Sequence, residues 1–536
     1  MKWRFSVIYF LFFASFAFLA FHVYNLQIEQ GSYYRAKAAQ RNIPGFRDES
    51  RGSIFFTDKN DNLIPVALTK VYPVVYAVPK EVVSPRAAAE ILAPVIDLEV
   101  ERLTTILNKP NDQYELLKTK VTAEIVQKVR SLKIAGIYVR EQNFRFYPFQ
   151  NLAAHVLGFV GAKSDDAGLK GRYGVELSYN DQLAKPESEG RDLILTIDRN
   201  VQTRAEDILT RLMVAHRASG GSVIVQEPKT GKIIALANEP TFDPNNYGSS
   251  EVGNFLNPAV QAVYEPGSIF KVLTMAAALD SGSVTPESTF VDSGLLTLNQ
   301  KTIRNWDLKA HGKVTMTEII ENSINTGAAF VERQMGHSLF KKYLENFDIA
   351  RVSGIELPGE LVGSLRSLRA GASDINYATA SFGQGVALTP LRLISLISAI
   401  ANRGILMKPL INASESPTEV KRIFSETAAG QVTKMMVSAV RKAHVADIPH
   451  FAIAGKTGTA QVPDFKKGGY GGDYIHSYAG FLPANSPRFT ILIKLDKPQG
   501  APLAGATVVP AFREFADFLI NYYTISPDDL AYEGSL

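Results

Sequence analysis

The sequence predicts an α+β protein with helices on a largely antiparallel sheet, preceded by a region of mixed elements and one membrane-spanning helix. Three observations lead to this prediction. Strand-like segments open and close the region from residue 191 to 524, helical patterns fill its middle, and an uncharged apolar run stands near the start of the chain. Helices on a largely antiparallel sheet are the typical architecture for such an order of elements. The 536 residues correspond to about three average domains.

Residues 5–25 are predicted to be a transmembrane anchor behind a short cytoplasmic tail, residues 1–4. No Asp, Glu, Lys or Arg occurs from Phe5 to Tyr24, and about twenty apolar residues suffice for a helix to cross a bilayer. A cleaved signal peptide is the alternative, but the run is long for one and no small-residue cleavage site follows it. Basic residues flank the run on both sides, so the tendency of basic residues to stay in the cytoplasm hardly discriminates between the two orientations of the helix. The short tail favours a cytoplasmic N-terminus with the bulk of the chain outside.

The next region, residues 26–190, mixes strands and helices. Residues 71–78, VYPVVYAV, alternate as a strand does. Two helices are predicted over residues 84–96 and 97–108, which begin at Ser84 and Asp97 as capping residues.

The region from residue 191 to 524 carries the sheet, and residues 525–536 are predicted to be a tail. A strand (DLILTID), a helix and two strands around a Pro-Lys-Thr-Gly turn open this region. After Ser268 the chain is predicted to be mainly helical to about residue 400. Three strands and a helix follow, in FAIAGKTGTAQV, HSYAGFLPA, RFTILIKLD and VVPAFREFADFLINYY. Residues 465–473 are predicted to be a hairpin loop.

Composition excludes several classes of site. The chain has no cysteine, so disulfides, thiolate metal sites and a cysteine nucleophile are ruled out. No two histidines have metal-binding spacing, so we predict neither a metal nor a cofactor. The formal net charge is +4, and the charges of both signs are mixed along the chain, so nucleic acid is not an expected partner.

Ser268 and Lys271 form a Ser-x-x-Lys pair directly after a Pro-Gly turn. Residues three apart share a helix face, so the lysine can reach the hydroxyl, and a neutral lysine can activate a serine as nucleophile. Free N–H groups at the helix start favour a developing negative charge. An ordinary helix N-cap is the alternative. Ser338 and Lys341 have the same spacing, so this motif alone is weak.

Two further motifs sharpen the prediction through their order. Ser-x-Asn occurs at residues 323–325 and at 178–180, and Lys-Thr-Gly at residues 456–458 and at 229–231. Only one combination runs Ser-x-x-Lys, Ser-x-Asn, Lys-Thr-Gly along the chain: Ser268/Lys271, Ser323/Asn325 and Lys456/Thr457/Gly458. A phosphate-binding loop at Gly455-Lys456-Thr457 is rejected, because the required earlier glycine is His450.

The ordered triple resembles that of class B penicillin-binding proteins, the monofunctional peptidoglycan transpeptidases of bacterial cell-wall synthesis. The likeness extends to VYEPGSIFKVLTMAAAL around Ser268, AGKTGTAQVP around Lys456, Arg51-Gly52-Ser53-Ile54 and HSYAGFLPA, and it covers nearly the whole chain. Ile324 stands where related motifs have Asp, and FFTDKNDN departs from the usual Asp-Arg-Asn-Gly. The Glu-Asp-x-x-Phe signature of a glycosyltransferase domain is missing from the sequence.

This resemblance implies the penicillin-binding transpeptidase fold, with an all-helical subdomain and an elongated pedestal or dimerisation domain over residues 26–190. It also implies acyl transfer: a Ser268 acyl-enzyme forms, D-alanine leaves, and the amine of a neighbouring stem peptide accepts the acyl group. Lys271 would be the base, Ser323 a proton relay and Asn325 a holder of the substrate amide. The donor carboxylate would bind at Lys456, Thr457, Gly458 and Thr459, and the backbone N–H groups of Ser268 and Thr459 would form the oxyanion hole.

The implied partners are peptidoglycan stem peptides, β-lactams, the bacterial cytoplasmic membrane and an integral-membrane glycosyltransferase. A β-lactamase shares the three motifs but hydrolyses its acyl-enzyme, and the anchor and long pedestal argue against it. A non-catalytic β-lactam sensor or scaffold is the other alternative, and retention of every reactive residue argues against that. Trp306 and His311 are predicted to be wall or packing residues, Glu265 a solvated or helix-start acid, and Arg51 and Arg145 ion-pair residues.

Overall fold

The computed structural model describes residues 51–110, 112–162, 169–185, 191–463 and 468–529, with isolated positions between residues 3 and 24. Most of the expected anchor (5–25) and of the expected C-terminal tail therefore lies outside the described residues. Among the residues that are described, none of the helices combines the length and the apolar character needed to cross a membrane.

The strands of the described residues carry the labels β1 to β18 in chain order. They are β1 Ile54–Thr57, β2 Ile64–Ala77, β3 Glu115–Lys118, β4 Ile137–Phe146, β5 Val160–Ala162, β6 Leu169–Gly171, β7 Leu193–Asp198, β8 Gly220–Gln226, β9 Ile233–Glu239, β10 Thr289–Asp292, β11 Leu295–Leu298, β12 Lys301–Arg304, β13 Gly312–Thr315, β14 Ile405–Met407, β15 Glu419–Arg422, β16 Ala454–Pro463, β17 Tyr470–Leu482 and β18 Phe489–Asp496.

The α-helices of the same residues carry the labels α1 to α16. They are α1 Pro85–Ile96, α2 Val100–Leu107, α3 Ala123–Leu132, α4 Ala154–Leu157, α5 Gly174–Ser178, α6 Asn180–Leu183, α7 Arg199–His216, α8 Pro258–Gln261, α9 Phe270–Asp280, α10 Met316–Glu321, α11 Asn325–Met335, α12 His337–Asn346, α13 Asp374–Ala380, α14 Pro390–Ala401, α15 Glu426–Ala443 and α16 Val508–Tyr522. Short 3₁₀ turns include Gly267–Ile269 and Ala504–Ala506.

The chain forms two compact units, residues 1–51, 69–146 and 161–170 in the first, and residues 52–68, 147–160 and 171–536 in the second. It passes between them several times. The expected domain limits, residues 26–190 and 191–524, stay predictions.

In the first unit, helices α1 to α3 pack on the last part of β2, which confirms the strand expected over residues 71–78. Helix α1 follows Ser84, but the Ser84 side chain makes no capping hydrogen bond. The prediction that Asp97 caps the next helix is wrong, because α2 begins after Glu99. Asp97 instead ends α1, with φ of 53° and its backbone N–H bonded to Ala93 O. A short polar side chain tolerates this left-handed conformation.

The second unit is built on a five-stranded sheet in the order β16-β17-β18-β8-β9, and every neighbouring pair is antiparallel. The predicted antiparallel sheet is therefore confirmed, with β8 and β9 among its opening strands and β16 to β18 as its closing strands. The predicted opening strand DLILTID forms as β7, but it pairs in parallel with β1 in another sheet. Side chains alternate between the faces of the antiparallel sheet, as the period of a strand requires. Ile491 and Ile493 of β18 join a core with α7 and α16, whereas Leu492 joins the core that contains α9 and α14. The sheet is thus covered on both faces, and β16 is an edge strand.

The segment from α9 to α14 is less helical than predicted. Two small antiparallel pairs, β10 with β13 and β11 with β12, stand between α9 and α10. Asn299 and Gln300, which link β11 to β12, have φ of 46° and 64°. Two positive φ values are typical of the tight hairpin turns that suit twisted strands, and Asn-Gln is a weaker signal than Asn-Gly. The predicted loop over residues 465–473 is also partly wrong, since β17 begins at Tyr470; residues 464–467 lie outside the described residues.

Candidate active site

Ser268 lies in the 3₁₀ turn Gly267–Ile269 that leads into α9. Gly267 has φ of 56°, a conformation that glycine adopts without strain. Within the described ranges no side chain caps this helix start, so the alternative that Ser268 is an ordinary N-cap is wrong. The turn leaves the hydroxyl half-buried on the wall of a cleft.

Lys271 lies one turn further along α9 and is 1% exposed. Its Nζ donates to Ser323 O at 2.5 Å, to Ser323 Oγ at 3.2 Å and to Asn325 Oδ1 at 2.7 Å. Within the part of the chain that the structure describes, none of its hydrogen bonds goes to the Ser268 hydroxyl. Hydrogen bonds between a base and its nucleophile are often long in unliganded enzymes. Hydrogen bonds from the Lys271 amine therefore connect the Ser-x-x-Lys motif to the Ser-x-Asn motif.

Ser323 occupies the link between α10 and α11, with φ of 53°. A serine rarely adopts this conformation, and such strain clusters at functional sites. Asn325 is the first residue of α11, and its Nδ2 donates to Arg304 O at 2.8 Å. That bond turns the amide oxygen toward Lys271. The link thus presents a hydroxyl and an amide oxygen on one side.

Lys456 projects from the edge strand β16 and is 4% exposed. Its Nζ donates to Ser323 Oγ at 3.0 Å and to Thr457 Oγ1 at 3.2 Å. The Ser323 hydroxyl therefore lies between two lysine amines. Thr459 Oγ1 accepts from Ala504 N at 3.2 Å and can still donate its own proton. Strand pairing with β17 uses only one side of the β16 backbone, and the other side is open to a ligand.

Both lysines are placed where the ammonium form is disfavoured. Burial lowers the pKa of Lys456 to about 7. Burial first, and the neighbouring Lys456 charge second, lower the pKa of Lys271 well below its usual value. Among the described residues, no carboxylate forms an ion pair with either amine. Desolvation and like charge both favour the neutral form of a lysine, so Lys271 can accept a proton near neutral pH.

The cleft has a volume of about 430 Å³. All predicted site residues except Lys271 and Gly458 line it: Ser268, Ser323, Asn325, Lys456, Thr457 and Thr459. Trp306 and His311 form part of its wall, as expected. Phe382, Gln384 and the segment 503–505 also line it, and no sequence motif pointed to them. Their places follow from chain packing alone.

Glu265 was predicted to be a solvated or a helix-start acid; it stands just before the Gly267–Ile269 turn, but it is not fully solvated. The residue is half-buried, and its Oε2 accepts from the Tyr470 hydroxyl at 2.9 Å. Burial raises the pKa of this carboxyl, although the Tyr470 bond opposes the rise.

Gly458 brings β16 close to the Ser268 turn. A Cβ at this position would lie 2.6 Å from Ser477 Oγ and 2.8 Å from Pro266 O. We expect Gly458→Ala to push the turn away and to lower the rate of acylation by a β-lactam, on the order of 10²-fold if the shift is about 1 Å. Stopped-flow acylation measures this. Gly430→Ala in α15 is the control, because Gly430 does not line the cleft and its Cβ would meet no atom within 4 Å; equal rates in the two variants contradict the prediction.

Two family descriptions match the chain. Residues 221–517 match the penicillin binding protein transpeptidase domain, and residues 48–195 match the penicillin-binding protein dimerisation domain. Stage V sporulation protein D of Bacillus subtilis is 31% identical over 506 residues, which cover 87% of this chain and 77% of that protein. Peptidoglycan D,D-transpeptidase FtsI of Escherichia coli (strain K12) is 28% identical, and the match covers 99% of this chain and 93% of that protein.

Solved structures agree on the fold. Penicillin Binding Protein 2X from Streptococcus thermophilus has a TM-score of 0.71 at 21% identity, covering 89% of this chain and 80% of that one. A peptidoglycan synthetase from Bifidobacterium adolescentis has a TM-score of 0.66 at 25% identity, and the match covers 89% of this chain and 96% of that one. The predicted penicillin-binding transpeptidase fold is thereby confirmed, whereas the expected N-terminal transmembrane helix stays a prediction. The transpeptidase match alone spans more than half of this chain. The chain therefore belongs to the family of penicillin-binding proteins with a transpeptidase domain.

Proposed function

We propose that this protein is a peptidoglycan D,D-transpeptidase that cross-links stem peptides through a Ser268 acyl-enzyme. The observation that carries the proposal is the Ser323 hydroxyl, which lies 3.2 Å from Lys271 Nζ and 3.0 Å from Lys456 Nζ. Two buried amines of lowered pKa beside a serine at a helix start make up proton-transfer machinery for acyl transfer. The similarity to FtsI of Escherichia coli, a peptidoglycan D,D-transpeptidase by name, supports the same reaction.

In the first step, Ser268 Oγ attacks the carbonyl carbon of the bond between the two terminal D-alanines. Neutral Lys271 takes the hydroxyl proton, and the backbone N–H groups of Ser268 and Thr459 stabilise the oxyanion. Each such donor typically contributes about 3–4 kcal/mol. The C–N bond then breaks, Ser323 relays a proton to the leaving amine, and D-alanine departs.

In the second step, an amine of a neighbouring stem peptide attacks the ester carbonyl. Its proton returns through the same groups, the C–O bond to Ser268 breaks, and an amide cross-link remains. Asn325 holds the substrate amide, while Lys456, Thr457, Gly458 and Thr459 bind the donor carboxylate. A β-lactam mimics the D-alanyl-D-alanine end, so it acylates Ser268 and leaves slowly.

Residues 5–25 are proposed to anchor the chain in the bacterial cytoplasmic membrane, with residues 1–4 inside and the catalytic domain outside. The match of residues 48–195 to a dimerisation domain supports a separate pedestal region. An integral-membrane glycosyltransferase that makes the glycan strands is the proposed partner. Recovery of the full chain, but not of residues 26–536, in the membrane fraction would support the anchor; equal recovery would contradict it.

The proposed reaction is tested with the full chain in detergent. Intact mass is followed after addition of benzylpenicillin, and cross-linking is assayed with peptidoglycan strands that carry D-alanyl-D-alanine stems. A slowly lost adduct together with cross-linked product supports the transpeptidase. Rapid hydrolysis of the drug without a lasting adduct would instead identify a β-lactamase. Neither adduct nor product, in a folded protein, would favour the sensor or scaffold.

A further inference from the structure

A buried carboxylate, Asp292, is connected by hydrogen bonds to the segment Ser323–Asn325, called here the Ser323–Asn325 link. The proposed chemistry does not use this carboxylate. Asp292, the last residue of β10, is 2% exposed. Its Oδ1 accepts from Gly294 N at 2.9 Å and from Thr326 Oγ1 at 2.6 Å. Its Oδ2 accepts from Asn305 Nδ2 at 2.7 Å and from His311 N at 2.9 Å. Burial raises the pKa of this carboxyl, but the hydrogen bonds led by Thr326 outweigh burial and lower it overall.

Asn305 serves as the cap of α11 although it is distant in sequence. The N-cap residue of α11 is Ile324, which has no side-chain acceptor for the free N–H groups of the first turn. Asn305 Oδ1 accepts from Asn325 N at 3.1 Å and from Thr326 N at 3.3 Å. Asn305 is itself 1% exposed. The helix that begins at Asn325 is therefore capped by a side chain that comes 20 residues earlier.

Asp292 determines which way the Asn305 amide faces. An ionised carboxylate only accepts hydrogen bonds, so the NH₂ end of the amide must face Asp292. The oxygen end is then left for the N–H groups of α11. With the amide reversed, NH₂ would face those N–H groups and two buried donors would lose their acceptor, which is costly.

The start of α11 in turn places groups of the cleft. Asn325 Oδ1 accepts from Lys271 Nζ, and Ser323 lies two residues before, in its strained conformation. His311, whose N–H also bonds Asp292, lines the same cleft. A change at Asp292 therefore reaches cleft residues that its side chain does not touch.

We infer that Asp292 is a positioning residue for the Ser323–Asn325 link and that it acts through the Asn305 amide. The inference rests on the proposed acyl transfer, because its readout is the acylation of Ser268. The competing account is plain structural support, which any buried and fully hydrogen-bonded carboxylate gives to a fold. The two accounts differ in whether the chemical step, measured on folded protein, changes.

The first test is Asp292→Asn in the full chain. Stopped-flow kinetics with benzylpenicillin separate the initial binding constant from the acylation rate constant, and intact mass counts the reactive molecules. We expect the acylation rate constant to fall about 10- to 100-fold with little change in initial binding, since small misplacements of reacting groups have effects of this size. Asn305→Ala removes the acceptor of α11 while Asp292 remains, and it should show the same loss. It also provides the test if Asp292→Asn does not fold.

Asp198→Asn is the matched control. Asp198 is 3% exposed and accepts from the backbone N–H groups of Asn200 and Val201, so it is also a buried carboxylate at a helix start. It is not among the residues that line the cleft. We expect this variant to lower the thermal unfolding temperature and to keep the wild-type acylation rate constant.

A swap of the two side chains gives a stricter test. Asn305→Asp alone sets two carboxylates against each other. Asp292→Asn alone turns an NH₂ group either toward Asn305 Nδ2 and His311 N or toward Gly294 N, so donors face donors in both orientations. The double variant restores one donor facing one acceptor, and a carboxylate is a good acceptor at a helix start. Recovery should be partial, because Asn305 Nδ2 also donates to Lys309 O and His311 N also needs an acceptor. We expect the double variant to react several-fold faster than either single variant.

Unchanged acylation in Asp292→Asn and Asn305→Ala, whatever their unfolding temperatures, overturns the inference and leaves the proposed function standing. Additive losses in the swap overturn the pairing of Asp292 with Asn305. Absence of acylation in the wild type contradicts the proposed function itself, and that outcome is visible before any variant is made.

Discussion

Replacing Ser268 by alanine should abolish covalent labelling by benzylpenicillin altogether. The hydroxyl lies in the 3₁₀ turn at the start of α9 and faces the cleft that Ser323 and Lys456 also line. No other group can form the ester if Ser268 is the nucleophile, because the acyl–enzyme bond is made by its own Oγ. Intact mass should therefore show the adduct on wild type and only unmodified protein for Ser268→Ala.

The chain offers a matched control for this experiment. Ser338 and Lys341 repeat the Ser-x-x-Lys spacing on α12, and Ser338 is exposed outside the cleft. Ser338→Ala should therefore label as wild type does. Persistent labelling of Ser268→Ala, at a site that peptide mapping places elsewhere, would show that another side chain is the nucleophile. Loss of labelling in Ser338→Ala would point to damage of the fold.

Replacing Lys271 by methionine should slow acylation by about 10²- to 10⁴-fold, the usual contribution of a general base. Methionine matches the length of a neutral lysine in a fully buried site, so it disturbs packing less than alanine would. It leaves Asn325 Oδ1 without its donor at 2.7 Å. The acylation rate constant of Lys271→Met is compared with that of Lys341→Met, the control at the repeated spacing. Rates within a few-fold of each other would exclude Lys271 as the base.

The pH profile adds a second signature of Lys271. Burial and the Lys456 charge lower the pKa of Lys271, so its amine is neutral at a lower pH than a free lysine would be. The acylation rate constant should fall as the pH drops through this lowered pKa, because the protonated amine cannot act as a base. Lys456, with a pKa of about 7, should lose its charge as the pH rises and weaken the binding of a carboxylate. In Lys271→Met the fall of the acylation rate constant at low pH should disappear. The loss of carboxylate binding at high pH should remain.

The fold was predicted well where a pattern is local. Strands such as β18 and the helix α16 show their periods in the sequence, and both form as predicted. The β11–β12 hairpin was missed, because its Asn299–Gln300 turn lacks the glycine that usually signals a tight hairpin. The Asp97 prediction failed for a related reason: the same short polar side chain suits a helix start and a left-handed helix end equally well.

In the candidate site, too, the local motifs were predictable from the sequence and the contacts between them were not. Residue types and their order along the chain identified Ser268, Ser323 and Lys456 as a set, and packing brought that set to one cleft. The partners within the set were not predictable. The shared helix face predicts only that Lys271 can reach the Ser268 hydroxyl, whereas in the structure its amine donates to Ser323 and Asn325.

Residue types and their order already indicate the chemistry of this protein: a serine with a lysine one helix turn away, two further motifs in a single permitted order, and the periodic apolar pattern of an α+β domain. The protonation states and orientations of these groups depend on how the chain packs around them. Burial lowers the pKa of both lysines, and the Asn305 side chain caps a helix that begins 20 residues later. This difference arises because motifs are local, whereas desolvation and hydrogen bonding depend on every chain segment that packs around a group.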